Sequence, residues 1–252
     1  MVKEFENTGS WAIILGGSSG LGLATAKKLA SKGMQICVVH RNRKSEMAEI
    51  QKQFESIREA QISFLSFNKD VLNKAHQTEI ITALKNELGE KDRIKCLVHS
   101  VAKGNLKPMM ASDNRTLEAL DFNLTLQAMA VSLYDWFKAL FDADLFADDA
   151  RIISFTSEGA RKVLPGYAAI SAAKASLEAI SRSIASEFAP YGIRSNCIQA
   201  GTTDTASLRM IPNSDKIKQL AQKRNPFSRL TRAEDVANAV YLLCRDEAAW
   251  IN

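Results

Sequence analysis

Cysteine is scarce and nowhere paired in sequence. Cys37, Cys96, Cys197 and Cys244 are the whole complement of 252 residues, they lie far apart, and no Cys-x2-Cys pair or histidine cluster accompanies them. A disulfide framework and a metal site are thereby excluded as organising features. The first three lie in apolar, strand-like runs, so the four read as reduced core residues of a cytoplasmic protein. No run of ~18 apolar residues occurs, and the opening Met1-Val2-Lys3-Glu4-Phe5-Glu6 carries no apolar signal segment, so neither membrane spanning nor secretion is expected. Basic runs interleaved with aromatics are missing too. The net charge of +5 comes from Lys and Arg spread along the chain, which predicts a solvated, slightly basic surface, not a nucleic-acid binder, and leaves an acidic protein partner open. Repeats, low-complexity segments and linkers are absent. The length suits one large core and is short for two, so a single domain over 1–252 is expected.

What is present is an alternation of short apolar runs with amphipathic stretches. Residues 11–15, 35–39, 62–67, 94–99, 151–157 and 193–199 read as six strands, and helical patterns fill 23–32, 45–58, 72–88, 114–141 and the stretch from 166 onward. This βαβ rhythm predicts an α/β fold, a Rossmann-type doubly wound parallel sheet with its ligand at the carboxyl ends of the strands.

The first strand runs into Gly16-Gly17-Ser18-Ser19-Gly20-Leu21-Gly22 and then a helix. Glycines let backbone approach a pyrophosphate, and the helix start offers unpaired N–H groups and a positive dipole end. No Gly-Lys-Ser/Thr follows, which argues against a P-loop. After the second strand, where an NAD-binding chain would place an acid for the ribose 2′-hydroxyl, stands His40-Arg41-Asn42-Arg43-Lys44. Positive charge there suits a 2′-phosphate; the alternative is a solvated basic start to the next helix. Asp70, at the end of the third strand, could accept from an adenine amino group or simply cap a helix. Ser100, Val101 and Ala102 follow the fourth strand and are small enough to let a ribose lie against backbone. His99 before them reads as structural. Asn123 is a poor helix residue in mid-helix, which marks a role or a kink.

The stretch Gly166-Tyr167-Ala168-Ala169-Ile170-Ser171-Ala172-Ala173-Lys174 opens a helix in which Ile170, Leu177, Ile180, Ile184 and Phe188 recur at helical spacing. Tyr167 and Lys174 fall on another face, seven residues apart, or roughly 10 Å along the axis. A ligand spanning that distance touches both. A lysine cation beside the same ligand favours the phenolate of a phenol that ionises near pH ~10. The pair alone is also what chance phasing would produce.

Gly16-x3-Gly20-x-Gly22, Asp70-Val71, Asn123, Ser157, the Tyr167/Lys174 helix and Pro226-x2-Arg229-x4-Glu234-Asp235-Val236 together resemble the short-chain dehydrogenase/reductases, in the family's order and over almost the whole chain. Two departures point to a branch. Ordinary members have Tyr-x3-Lys, but Ser171 stands four residues after Tyr167 and the lysine comes three later. Tyr-x6-Lys and His99-Ser100-Val101-Ala102 resemble the divergent enoyl-acyl-carrier-protein reductases, of the NADPH-using subgroup that keeps serine, here Ser157, where others carry a second tyrosine. The resemblance implies that Lys174 binds the nicotinamide ribose and Tyr167 the substrate carbonyl, with Ser157 as an auxiliary donor. It places Gly16, Ser18, Ser19, Gly20, Leu21 and Gly22 at the pyrophosphate, Arg41 at the 2′-phosphate, Asp70 and Val71 at the adenine, Ser100, Val101 and Ala102 at the adjacent ribose, and Thr203 and Thr205 at the carboxamide and phosphate. A tyrosine displaced by one helical turn, roughly 4 to 5 Å, suits an enoyl thioester, whose oxygen lies two bonds from the carbon that receives hydride.

The implied activity is NADPH-dependent reduction of the 2,3 double bond of a trans-2-enoyl thioester in fatty acid synthesis. A β-ketoacyl or carbonyl reductase is the alternative, for which Asn123 and Ser157 argue; a non-catalytic dinucleotide-binding protein is a third reading. The expected partner is an acidic acyl-carrier protein bearing the enoyl thioester, docking beside 206–232, within which 206–225 forms a lid. A homo-oligomer, dimer or tetramer, is expected, and the resemblance implies a final strand after Trp250-Ile251-Asn252 that this sequence does not contain.

Overall fold

The computed structural model describes residues 2–112 and 115–252. Its strands β1 (Ser10–Leu15), β2 (Gln35–His40), β3 (Phe64–Asn68), β4 (Arg93–His99), β5 (Phe146–Thr156) and β6 (Ile193–Gln199) form one sheet in the order β3-β2-β1-β4-β5-β6. Every pairing is parallel, as the sequence predicts. The order reverses between β1 and β4, which opens a crevice at their carboxyl ends.

The strands read as unbroken apolar runs because both faces of the sheet are covered. From β1, Ala12 and Ile14 enter one core and Trp11, Ile13 and Leu15 the other. The helices α1 (Gly20–Ser31), α2 (Met47–Arg58) and α9 (Ala233–Cys244) close the first face with Leu29, Phe54 and Val240. On the second, α3 (Lys74–Glu87), α5 (Ser132–Asp142) and α6 (Ala168–Glu187) contribute Leu84, Trp136 and Leu177. Nothing in the described residues divides this sheet and its two cores into separate domains.

Several boundaries differ from expectation. The third helix starts at Lys74, not 72, because the Asn73 side chain caps it, accepting from the N–H groups of Ala75 (2.9 Å) and His76 (3.2 Å). β5 begins at Phe146, five residues before the expected start, across Asp148 and Asp149. Asp149 fits there because Lys95 (2.6 Å), Arg194 (2.6 Å) and Arg151 all pair with it. The long helix expected over 114–141 begins at Ala119 as α4 (Ala119–Leu126), and Asn114 lies outside the described residues. A π turn, Gln127–Val131, separates α4 from α5. Cys37, Cys96 and Cys244 are buried, but Cys197 is only half-buried, because it lies on β6 at the sheet's edge. Among the described residues no strand pairs with the outer edge of β6, and no helix is long and apolar enough to cross a membrane.

Candidate active site

The turn from β1 to α1 lies against the start of the segment that follows β4. Gly16 has φ +85°, and a Cβ there would stand 2.5 Å from Ser100 O, so only glycine fits. Its N–H donates to Val39 O at 2.8 Å, and the Ser100 N–H to Leu15 O at 2.8 Å, which fixes the turn between β2 and β4. Beside it is a cavity of about 280 Å3. Nine residues singled out in the sequence line it: Gly16, Ser18, Ser19, Arg41, Asp70, Val71, Ser100, Val101 and Ala102. Gly20, Leu21 and Gly22 open α1, where Leu21 packs on the core. Thr203 and Thr205 do not line the cavity. Thr203 donates to Gly201 O (3.0 Å), and Thr205 caps α7 (Ala206–Arg209) by accepting from the Leu208 N–H (3.2 Å). Thr205 still stands over the turn, its Cγ2 3.5 Å from where a Cβ on Gly20 would be, and Ser207 reaches the cavity wall. Sequence reasoning passed over Ser207 and also Lys69 and Lys103, whose positions depend on tertiary packing rather than on any local pattern.

At the cavity's far end Arg41 Nη1 donates to Asp70 Oδ2 at 2.7 Å, and Asp70 Oδ1 accepts from the Leu72 N–H at 2.9 Å. Partial burial would raise the Asp70 pKa, but the Leu72 N–H and the Arg41 and Lys103 charges outweigh it and hold the carboxyl below its ordinary range. Asn42, between the two arginines, accepts from Ser18 Oγ at 2.8 Å and ties the glycine turn to the end of β2. The glycine cradle, the N-terminal N–H groups of α1 and the cationic rim of the cavity together fit a dinucleotide with its pyrophosphate on the turn.

Tyr167 immediately precedes α6, Lys174 lies two turns into it, and Ser157 follows β5. Lys174 is buried and donates to Phe155 O at 2.6 Å. Burial pushes its pKa down to about 8, against the opposing effects of Cys197 and Glu178. The expectation that Lys174 favours the Tyr167 phenolate is not met. Burial raises the phenol, and only Ser157 works the other way, so Tyr167 is a protonated donor at neutral pH. Ser157 Oγ is buried beside it without a hydrogen-bond partner of its own. Ser171, in the position of the ordinary lysine, donates to Gly159 O at 2.5 Å and so binds the Ser157 segment to α6. Asn123 is exposed on α4, and Lys174 finds its partner on β5 instead. His99 is structural, as expected: it is buried, bonded to Ser132 Oγ at 2.8 Å, and kept neutral by burial and the nearby Lys174 charge, its pKa near 3.

A doubly wound sheet, a glycine cradle at its switch point and a tyrosine–lysine helix beside it define a dinucleotide-dependent oxidoreductase. Residues 16–252 match the family described as Enoyl-(Acyl carrier protein) reductase, and the chain belongs to that family of short-chain dehydrogenase/reductases. It is 29% identical over 245 residues to the 3-oxoacyl-acyl-carrier-protein reductase FabG of Escherichia coli (strain K12), with 96% of this chain and 93% of the relative covered. It is 28% identical over 239 residues to enoyl-acyl-carrier-protein reductase (NADH) 1 of Rhizobium meliloti (strain 1021), covering 93% of this chain and 84% of the relative. Among solved structures, an enoyl-acyl-carrier-protein reductase (NADH) from Aquifex aeolicus VF5 superposes with a TM-score of 0.82 at 22% identity, covering 98% of this chain and 93% of that one, a likeness of fold. The chain is thus an NAD(P)-dependent oxidoreductase whose relatives at near-equal identity reduce different bonds.

Proposed function

We propose that this protein reduces the 2,3 double bond of trans-2-enoyl thioesters with NADPH, presented by an acyl-carrier protein for fatty acid synthesis in the cytoplasm. One observation carries the reading: the lysine stands seven residues after Tyr167, and the ordinary lysine position holds Ser171, whose hydroxyl is spent on Gly159 O. The phenol therefore sits one turn farther from the ribose-binding group, as an oxygen remote from the reduced carbon requires. A bound dinucleotide would supply hydride to the β-carbon; the π pair of the double bond would pass toward the thioester oxygen as an enolate, and the α-carbon would then take a proton from water to complete the reduction. Tyr167, protonated and half-buried, donates a hydrogen bond to the thioester oxygen as negative charge develops there. Lys174 holds the nicotinamide ribose and adds positive charge nearby. Arg41, on the cavity wall, and Arg43, two residues on, would hold the 2′-phosphate.

The carbonyl reading has one observation on its side, the unpartnered Ser157 Oγ beside the phenol, placed to share a ketone oxygen. The exposure of Asn123 weighs against it. Variants separate the two. In the enoyl reading Tyr167→Phe lowers kcat strongly and Ser157→Ala costs ~1 kcal/mol of transition-state stabilisation, the loss of one neutral hydrogen bond. Equal damage from both would favour the ketoreductase.

The carrier docks beside 206–232. There α7 and α8 (Ser214–Arg224) contain no buried residue, which suits a lid. Arg209, Lys218 and Arg229 are paired with Asp204, Asp215 and Asp235. Lys216, Lys223, Arg224 and Arg232 are exposed and have no ion-pair partner among the described residues, leaving charge for an acidic partner. The working unit is a homo-oligomer, a dimer or a tetramer.

A further inference from the structure

Asp121 is a buried carboxylate in the first turn of α4, and no step above uses it. Both its oxygens are taken by the segment that follows β4: Asn105 Nδ2 donates to Oδ1 at 2.7 Å and Lys107 Nζ to Oδ2 at 2.8 Å. Oδ2 also accepts the Glu118 N–H at 3.0 Å, which caps α4. A further tie runs through Thr125, whose Oγ1 donates to Asp121 O at 2.7 Å and accepts the Asn105 N–H at 3.1 Å. Lys107 and the Glu118 N–H hold the carboxyl below its ordinary range, so these donors meet an anion at neutral pH.

Between β4 and α4 the described residues form no helix or strand, so this long connection has no ladder of its own to fix it. Its opening is tied to β1 by the Ser100 N–H on Leu15 O, and Ser100, Val101, Ala102 and Lys103 line the cavity at the glycine turn. Farther along it meets α6. Gly104 is wedged so closely that a Cβ there would stand 2.8 Å from Ile170 Cγ1, 2.9 Å from Met129 Sδ and 2.9 Å from Thr125 Cγ2. Leu106 packs on a small cluster of Ala128, Met129, Ile170 and Ala173, and Tyr167 packs on the same cluster. The carbonyl carbon of Lys107 lies 3.9 Å from where a Cβ on Gly166, the neighbour of Tyr167, would be.

We propose that Asp121 is a positioning residue: through Asn105 and Lys107 it holds the 104–107 segment against the start of α6 and so fixes Tyr167 relative to the dinucleotide cavity. A helix cap needs only the Glu118 N–H; the bonds to Asn105 and Lys107, 16 and 14 positions back along the chain, serve no cap. The consequence for catalysis rests on the reading that Tyr167 donates to the substrate oxygen. The charged groups on the elements around the phenol are accounted for. Lys174 is buried on α6, Lys107 is paired with Asp121, and on the Ser157 segment Glu158 is paired with Lys162 at 2.5 Å.

The test is an NMR titration of the free protein carrying tyrosine labelled with 13C at Cζ, the Tyr167 resonance being assigned by Tyr167→Phe. Burial raises the Tyr167 phenol, with Ser157 acting against it. Releasing the 104–107 segment opens the cluster on which the ring packs and admits water, so the midpoint should fall toward the ordinary ~10, by about half a unit or more, in Asp121→Asn and in Asn105→Ala. Asn105→Ala changes no charge, and it serves if Asp121→Asn does not fold. Lys107→Met separates position from charge: losing a nearby cation would by itself raise the midpoint, whereas releasing the segment lowers it. With the thioester that the enzyme reduces, kcat should fall by about tenfold in Asn105→Ala, while NADPH affinity measured by calorimetry changes less than about twofold because Ser100 keeps the cavity wall on β1. An unmoved Tyr167 midpoint with a lowered Tm would make Asp121 a structural cap alone, and a midpoint that falls in Asp121→Asn but rises in Lys107→Met would assign the shift to charge; either result overturns the proposal. No thioester enters the titration, so failure of the enoyl reading leaves its result standing.

Discussion

Arg41 and Asp70 hold each other at 2.7 Å, and the proposed preference for NADPH turns on what becomes of that pair. The arginine is more than half exposed, so the pair contributes little to stability and parting it costs little. A 2′-phosphate offers a doubly charged, bidentate partner in its place, and a charge-assisted hydrogen bond of that kind is worth about 1.5–3 kcal/mol. Replacing Arg41 and Arg43 with alanine should therefore raise the KM for NADPH by about tenfold or more while leaving the KM for NADH nearly unchanged. Steady-state kinetics with the two cofactors measures this directly, and an equal loss for both would remove the arginines from the 2′-phosphate.

Among the elements, the segment between β5 and α6 sets where Ser157 and Tyr167 stand. It is pinned to α6 by Ser171 and Glu178, and it passes so close to Tyr167 that a Cβ on Gly159 would lie 2.6 Å from the ring's Cε1 and 3.1 Å from Cδ1. Gly159→Ala should thus displace the phenol and lower kcat by about tenfold or more, ~1.4 kcal/mol or more of barrier, with NADPH affinity little changed. Stopped-flow kinetics alongside a cofactor titration would show it; unchanged kcat would mean that the ring position is not critical. The elements themselves were largely legible. Strands such as 11–15 and 35–39 announce themselves because burial on both faces demands unbroken apolar sequence. The start of β5 did not, since Asp148 and Asp149 look like a loop until Lys95, Arg151 and Arg194 converge on Asp149 from three strands. The π turn after α4 left no local signature. At the site, the spacing of Tyr167 and Lys174 and the glycine turn were readable, because each is a pattern within one element. Ser171 on Gly159 and Glu178 on Thr156 were not, because each joins α6 to a segment whose approach only tertiary packing sets.

For the whole molecule, the distribution of charge bears on the proposed encounter with an acyl-carrier protein. The unpaired cations at 216, 223, 224 and 232 lie on exposed elements, where attraction is screened as the Debye length shrinks from ~8 Å at physiological salt to ~3 Å at 1 M. Added salt should raise the KM for a carrier-bound enoyl thioester more than that for a short free thioester, and equal changes would count against docking at this face. Which bond is reduced is decided by following NADPH absorbance with crotonyl and acetoacetyl thioesters of the same carrier at equal concentration. The displaced tyrosine predicts that the crotonyl thioester is consumed at least about tenfold faster, a difference of ~1.4 kcal/mol in barrier. Faster consumption of the acetoacetyl thioester would contradict it.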